Sequence, residues 1–278
     1  IACASQANWS LGETALQHET ALLGISEKQA IDEMLWRYDI MKQSVTDGFV
    51  DENADMLLLA PTAAVIKRSI EQKRIPIGGI HAKAAAAAMA AMHTSNSRGV
   101  ICAAPTGGAA GTLPGTLTAL EDAYGVERRK LALMLFAAGS IGLILAIRGT
   151  FAAEVAGCQV EIGAAGAMAS AAVVEFASGS AQQACDAAAI SFQNTMGSVC
   201  DLVQGICEVP CHTRNAVAAS SAFTNADLIL AGYYNPVPLD ETIDAVYASG
   251  LQLPSELRCT ARGGLALAPS ARKLILRR

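Results

Sequence analysis

Residues 131 to 147 read LALMLFAAGSIGLILAI, an uncharged run held between Lys130 and Arg148. At this length it stands at the short limit for crossing a bilayer. Gly139, Ser140 and Gly142 interrupt it, and no second run of that quality follows. A helix enclosed within a large helical core accounts for the run better, because a core helix is apolar on every face. The expectation is an all-α, multihelical protein with no membrane partner.

Composition points the same way. Apolar residues make up 52% of the 278 and charged residues 16%, enough to bury a substantial core. Aromatics reach only 5%, which leaves Ala, Leu, Ile and Gly to fill it. Ala loses no side-chain entropy in a helix while β-branched residues lose χ1 freedom, so this mixture favours helices over strands. A net charge of −5 with no polybasic arm argues against nucleic acid. The chain opens on Ile1, which leaves room for sequence upstream, and its first residues lack the tripartite form of a signal peptide, so a cytoplasmic home is expected. Eight cysteines without a secretory signal read as metal ligands plus buried thiols rather than a disulfide scaffold.

Ser26 and Gln29 form a capping box ahead of Ile31, Met34, Leu35, Tyr38, Met41 and Val45, which recur at helical spacing. Further helices are expected over 54–72, 82–92, 117–124, 163–176, 180–194 and 215–231. A last one is expected over 240–249, with Gly250 as its C′ glycine. The polar stretch 94–99 reads as a turn between an N-terminal helical part, residues 1–95, and the remaining core, residues 96–278; a single continuous domain over 1–278 is the alternative. Residues 104–115, APTGGAAGTLPG, read as a glycine-rich loop. It lacks the G-K-[ST] ending of a P-loop, which argues against nucleotide binding.

Cys158 in AGCQVE, Cys200 in GSVCDLVQG and Cys211 in EVPCHTRNA sit in expected loops, with Pro210 keeping Cys211 out of a helix interior. Soft thiolates favour iron–sulfur clusters, zinc or copper. From the residues alone, buried core thiols are the more economical reading, since free Cys is among the most buried types. No C-x-x-C pair supports a zinc ribbon or a ferredoxin run.

The blocks GCQVEIGAAGAMASAAVVE, VCDLVQGICEVPCHTRNA, APTGGAAGTLPG and a late RGGLA together resemble the α subunit of iron–sulfur-dependent L-serine dehydratases, over about residues 99–268 and more loosely before that. The cysteine spacings of 42 and 11 residues fit. The resemblance implies the multihelical α domain of that family. It implies a 4Fe-4S cluster on Cys158, Cys200 and Cys211 whose fourth iron acts as a Lewis acid on L-serine, in place of pyridoxal phosphate, giving pyruvate and ammonia. That is a lyase reaction of amino-acid catabolism that feeds gluconeogenesis. It implies a β subunit as partner, and allows a homo- or hetero-oligomer.

Within that frame Glu161 reads equally as a catalytic proton-transfer or ligand-orienting group and as a structurally paired carboxylate. Arg214 and Asn215 form a family-like pair; the guanidinium suits the serine carboxylate, with structural salt-bridging as the competing reading. Thr106, Gly107 and Gly108 can present backbone N–H groups to the same carboxylate, or merely allow tight packing. Four departures stand out: VDENAD at residues 50–55 where the family commonly shows Gly-Gly-Asp, Arg258-Cys259-Thr260 where it shows R-E-T, Cys207 at a usually apolar or neutral position, and a terminal Arg278 where some members carry cysteine. They keep a second reading open, a non-catalytic iron–sulfur redox or sensor protein.

Overall fold

The structure, a computed structural model, describes residues 1–50, 55–75 and 77–277. Most of the VDENAD stretch, residues 51–54, lies outside the described residues. Thirteen α-helices follow one another and no strand occurs among the described residues: α1 (Ala2–Ala7), α2 (Leu11–Leu23), α3 (Glu27–Val50), α4 (Ala63–Glu71), α5 (Ile80–Asn96), α6 (Thr112–Tyr124), α7 (Arg128–Arg148), α8 (Ala153–Ala156), α9 (Ile162–Phe176), α10 (Ala181–Thr195), α11 (Cys211–Leu230), α12 (Leu239–Leu251) and α13 (Pro269–Arg272). The all-α expectation therefore holds. Ser26 makes its capping box with Gln29, and Ser180 makes one with Gln183.

The apolar run forms most of α7, the one helix among the described residues long and apolar enough to cross a membrane. Its first half is enclosed by α2, α3 and α9, whereas Leu143 and Ile147 in its second half face outward. The most enclosed helix is α9, buried at every position from Ile162 to Glu175. Its sequence, IGAAGAMASAAVV, is made largely of Ala and Gly, so α6, α7, α10 and α11 close in on it from all sides. Small residues do the same at α5, which packs against α3, α6 and α11. At Gly48 of α3 a Cβ would lie 1.8 Å from the Ala90 carbonyl oxygen of α5, so only glycine permits this crossing.

Several local expectations are corrected. The helix expected over 54–72 is reduced to α4: Pro61 interrupts the pattern, and the N–H groups of Leu57, Leu58 and Leu59 donate to the Glu208 carboxylate instead of to helical carbonyls. α5 runs on through Asn96, so the turn begins only at Ser97; Thr94 is buried with its hydroxyl on the Ser44 carbonyl. The glycine-rich loop ends earlier than expected, because α6 starts at Thr112. α11 starts at Cys211 rather than Asn215. Gly250 is not a C′ glycine. It lies inside α12, where a Cβ would come 2.5 Å from the Ala156 carbonyl oxygen, and it allows α12 to touch α8.

Candidate functional site

Three loops meet at the N-terminal ends of α9 and α11. The first is Gly157 and a single 3₁₀ turn, Cys158–Val160, which places Cys158 at 1% exposure just before α9. Gln159 ties this turn to the second loop, donating to the Ala156 carbonyl at 2.9 Å and accepting from the Gly197 N–H at 2.8 Å. The second loop carries Cys200, 2% exposed, which forms an isolated parallel bridge with Arg258. The third ends at Pro210, after which Cys211 is the first residue of α11. Cys211 is thus at a helix start, outside any helix interior as the sequence implied.

The thiols gather there in contacting pairs. The Cys158 thiol lies beside that of Cys200, Cys200 also neighbours Cys259, and Cys207 neighbours Cys211. The Cys200 thiol holds the Cys158 thiolate below the usual range, with the nearby Arg214 charge assisting, while Cys200 itself is pushed up by that contact and by burial. Cys207 is lowered in the same way by the Cys211 thiol, and Cys211 is raised. Among the described residues no three His, Cys, Asp or Glu side chains already surround a single metal-ion position. The donor set is nonetheless soft: among the described residues five thiols, Cys158, Cys200, Cys207, Cys211 and Cys259, come from four segments, with no imidazole–carboxylate cage. That chemistry fits an iron–sulfur cluster, which spreads its thiolates over several irons, better than a single hard cation.

Glu161 lies one turn beyond Cys158. It accepts a hydrogen bond from the Thr106 hydroxyl, and burial pushes its carboxyl up against the lowering effect of that bond. Gly108 packs over it: a Cβ there would come 2.6 Å from Glu161 Oε1 and 3.3 Å from Cys207 Sγ. The loop of Thr106, Gly107 and Gly108 therefore lies directly against this carboxylate. Among the described residues no protein acceptor pairs with the N–H groups of Gly107 or Gly108.

Arg214 donates to the Val199 carbonyl at 2.8 Å and to Asp201 Oδ1 at 2.9 Å, which aims its guanidinium at the Cys158 side of the site. Asp201 also accepts from the Leu265 N–H at 2.7 Å, so this carboxylate ties the cysteine loop, α11 and the late RGGLA segment together. Asn215 is fully engaged by the protein. Its oxygen accepts from the N–H groups of Gly111 and Thr112 at the start of α6, and its Nδ2 donates to the Gly108 and Cys211 carbonyls at 2.8 and 2.9 Å. It locks the glycine loop onto the Cys211 helix start. A groove of about 610 Å³ opens from Cys158 and Arg214 and runs along α11 past Val217, Ser221 and Leu228.

Sequence reasoning missed three groups here. Glu208, through residues 57–59, and Gln159, through Gly197, reach backbone distant in sequence, and no local motif signals such a bond. Cys259 was noticed only as a departure; its flanking RGGLA block was the available sign that the segment returns to the site.

The family model described as serine dehydratase alpha chain matches residues 6–266. A probable L-serine dehydratase alpha chain of Bacillus subtilis (strain 168) is 35% identical over 264 residues, 95% of this chain and 88% of that protein. One from Latilactobacillus sakei is 43% identical over 183 residues, 66% of this chain and 88% of the relative. The L-serine dehydratase alpha chain of Peptoniphilus asaccharolyticus is 39% identical over 198 residues, covering 71% and 68%.

Proposed function

Because the chain belongs to the serine dehydratase alpha chain family, we propose that it is the alpha chain of a cytoplasmic L-serine dehydratase that converts L-serine to pyruvate and ammonia with a 4Fe-4S cluster on Cys158, Cys200 and Cys211. The observation that carries this reading is the meeting of the Cys158 loop with the Cys200 and Cys211 loops, some 40 to 50 residues on, beside one guanidinium and one half-buried carboxylate.

When bound, a cluster with three protein thiolates supplies an iron that polarises the serine hydroxyl for departure. The chain's own groups do the rest. Arg214, braced by Val199 and Asp201, offers the substrate carboxylate a fixed positive charge. The N–H groups of Gly107 and Gly108 form a second anion-binding edge, with Thr106 at its start. Asn215 keeps that edge in register with Cys211. Glu161, oriented by the Thr106 hydroxyl, is placed to hold or move a proton at the substrate. Water elimination yields aminoacrylate, which hydrolyses to the products. A β-type subunit completes the site.

Cys259 beside Cys200 favours a second reading. A fourth thiolate would close the cluster and suit a redox or sensor role instead. One experiment separates the two: anaerobic purification with iron and sulfide analysis, then pyruvate formation from L-serine with and without the β-type subunit. Iron and sulfide with serine turnover, strongest with the subunit, supports the dehydratase. Bound cluster with no turnover in the complete complex selects the second reading, and material that takes up no iron removes both.

A further inference from the structure

The three-cysteine reading leaves Cys259 without a role, yet the backbone carries it to the site. Residues 257–260 run alongside Cys200: the Cys200 N–H donates to the Leu257 carbonyl at 2.8 Å, and the Thr260 N–H donates to the Cys200 carbonyl at 3.3 Å. The segment is pinned on both sides of the thiol. Arg258 donates to the Val155 carbonyl at 3.1 Å, and the Thr260 hydroxyl donates to the Glu256 carbonyl. Between these anchors Cys259 is held at φ 59°, the left-handed region that residues with a Cβ rarely enter. Its side chain contacts the Cys200 thiol.

The two thiols differ in access. Cys259 is exposed, whereas Cys200 is 2% exposed beneath it. The bridge sets Cys200 opposite Arg258, and Cys259 is the next residue along, between the Leu257 and Thr260 partners of the two Cys200 backbone bonds. An outer thiol open to reagents, held beside an inner one by the backbone bonds that flank it, has the layout of an entry thiol and its resolving thiol.

We propose that in the cluster-free chain Cys259 and Cys200 form a reversible disulfide that takes Cys200 out of the ligand set. The oxidant is a low-molecular-weight disulfide, RSSR. The Cys259 sulfur attacks one of its sulfurs, forming a Cys259–SR mixed disulfide and breaking the S–S bond to release RSH. The Cys200 sulfur then attacks the Cys259 sulfur, forming the internal disulfide and expelling the second RSH. Two protein thiols lose two electrons, RSSR gains them, and the two thiol protons leave on the two RSH. The disulfide is independent of the dehydratase reading; only its consequence for iron rests on Cys200 being a ligand.

The test uses the full, metal-free chain, incubated without oxygen with oxidised glutathione, alkylated with N-ethylmaleimide and mapped by peptide mass spectrometry. The expected result is a main new link between Cys200 and Cys259, loss of two of the eight alkylatable thiols, and recovery with dithiothreitol. Iron uptake on anaerobic reconstitution should be several-fold lower in the linked protein and restored by reduction, and Cys259→Ser should give no such link. A main link joining Cys158 to Cys200 or Cys207 to Cys211, or a lasting glutathione adduct on Cys259, overturns the proposal on the unsubstituted chain alone. Unchanged iron uptake in linked protein overturns the removal of Cys200 from the ligand set. Mapping needs neither iron nor serine, so its outcome is separate from that of the catalytic reading.

Discussion

The α5–α3–α6 crossing and the three cysteine loops are built on opposite principles. At the crossing, helices touch through Ala and Gly, and what holds them is the absence of side-chain volume. The loops are held by a few long polar side chains reaching across the fold: Gln159, Asp201, Glu208, Arg214 and Asn215 each bond backbone or charge on another segment. Packing of that first kind tolerates no added atom, and its loss is felt by the whole molecule. Clamps of the second kind fix local geometry, so their loss is felt at the site first. Stability and function should therefore separate on mutation.

The largest effect falls on function. Cys158→Ser, Cys200→Ser and Cys211→Ser each replace a soft thiolate by a harder, poorer donor, so iron content and serine turnover should both collapse. Unfolding of the same variants in metal-free form should shift by only about 1 kcal/mol, the cost of a hydroxyl where a thiol packed. Cys207→Ser should keep its iron. Iron loss in Cys207→Ser with retention in Cys211→Ser would reverse the ligand assignment.

The converse variant is Gly48→Val. Its side chain would meet the Ala90 carbonyl oxygen, forcing α3 off α5, and urea unfolding should show a loss of about 3 kcal/mol. A loss near zero would mean that the crossing can open freely and that the contrast drawn above is false.

Glu208→Ala should fall between these. Three N–H groups, from Leu57, Leu58 and Leu59, lose their acceptor, at a cost of about 2 kcal/mol. The effect should be local: hydrogen exchange at residues 57–59 should accelerate far more than exchange in α9, and Glu208→Gln should recover part of the protection through its remaining oxygen. Equal acceleration in α9 would show that the clamp belongs to the global fold.

The same contrast explains what the sequence made legible. Helix type, the caps at Ser26 and Ser180, and the buried run all follow from local pattern, because propensity and capping act within a few residues. The family was readable through the resemblance, since several short blocks stand in its order along the chain. Helix 54–72 was read too long: Pro61 stood in the sequence as a local stop, but the competitor that claims residues 57–59, the Glu208 carboxylate, lies about 150 residues away. Asn215 was marked for substrate by its place beside Arg214, while the partners that occupy its amide, Gly108, Gly111 and Thr112, are brought there only by the fold. Long-range side-chain-to-backbone bonds leave no periodicity to read.

The smallest effect concerns polar bonds in the helical shell, where they should matter least. Asp39 of α3 accepts a two-armed hydrogen bond from Arg128 of α7, at 2.6 and 2.9 Å, with both side chains about half exposed at 53% and 52%. The Arg128 hydrogen bonds hold the Asp39 carboxyl below its ordinary range, against the opposing effect of burial. A carboxyl lowered by folding binds its proton more readily in the unfolded chain. Its contribution is therefore complete above the unfolded value of about 3.9 and is lost as pH falls through the lower folded value. Solvent and salt screen an exposed pair, so Asp39→Asn should cost only about 0.5 kcal/mol at pH 7. The difference from the parent should shrink steadily in urea titrations taken below about pH 4, and should also shrink in high salt at pH 7. A pH-independent loss of about 2 kcal/mol or more, the size of a buried hydrogen bond left unmade, would place Asp39 among the clamps and erase the distinction between shell and site.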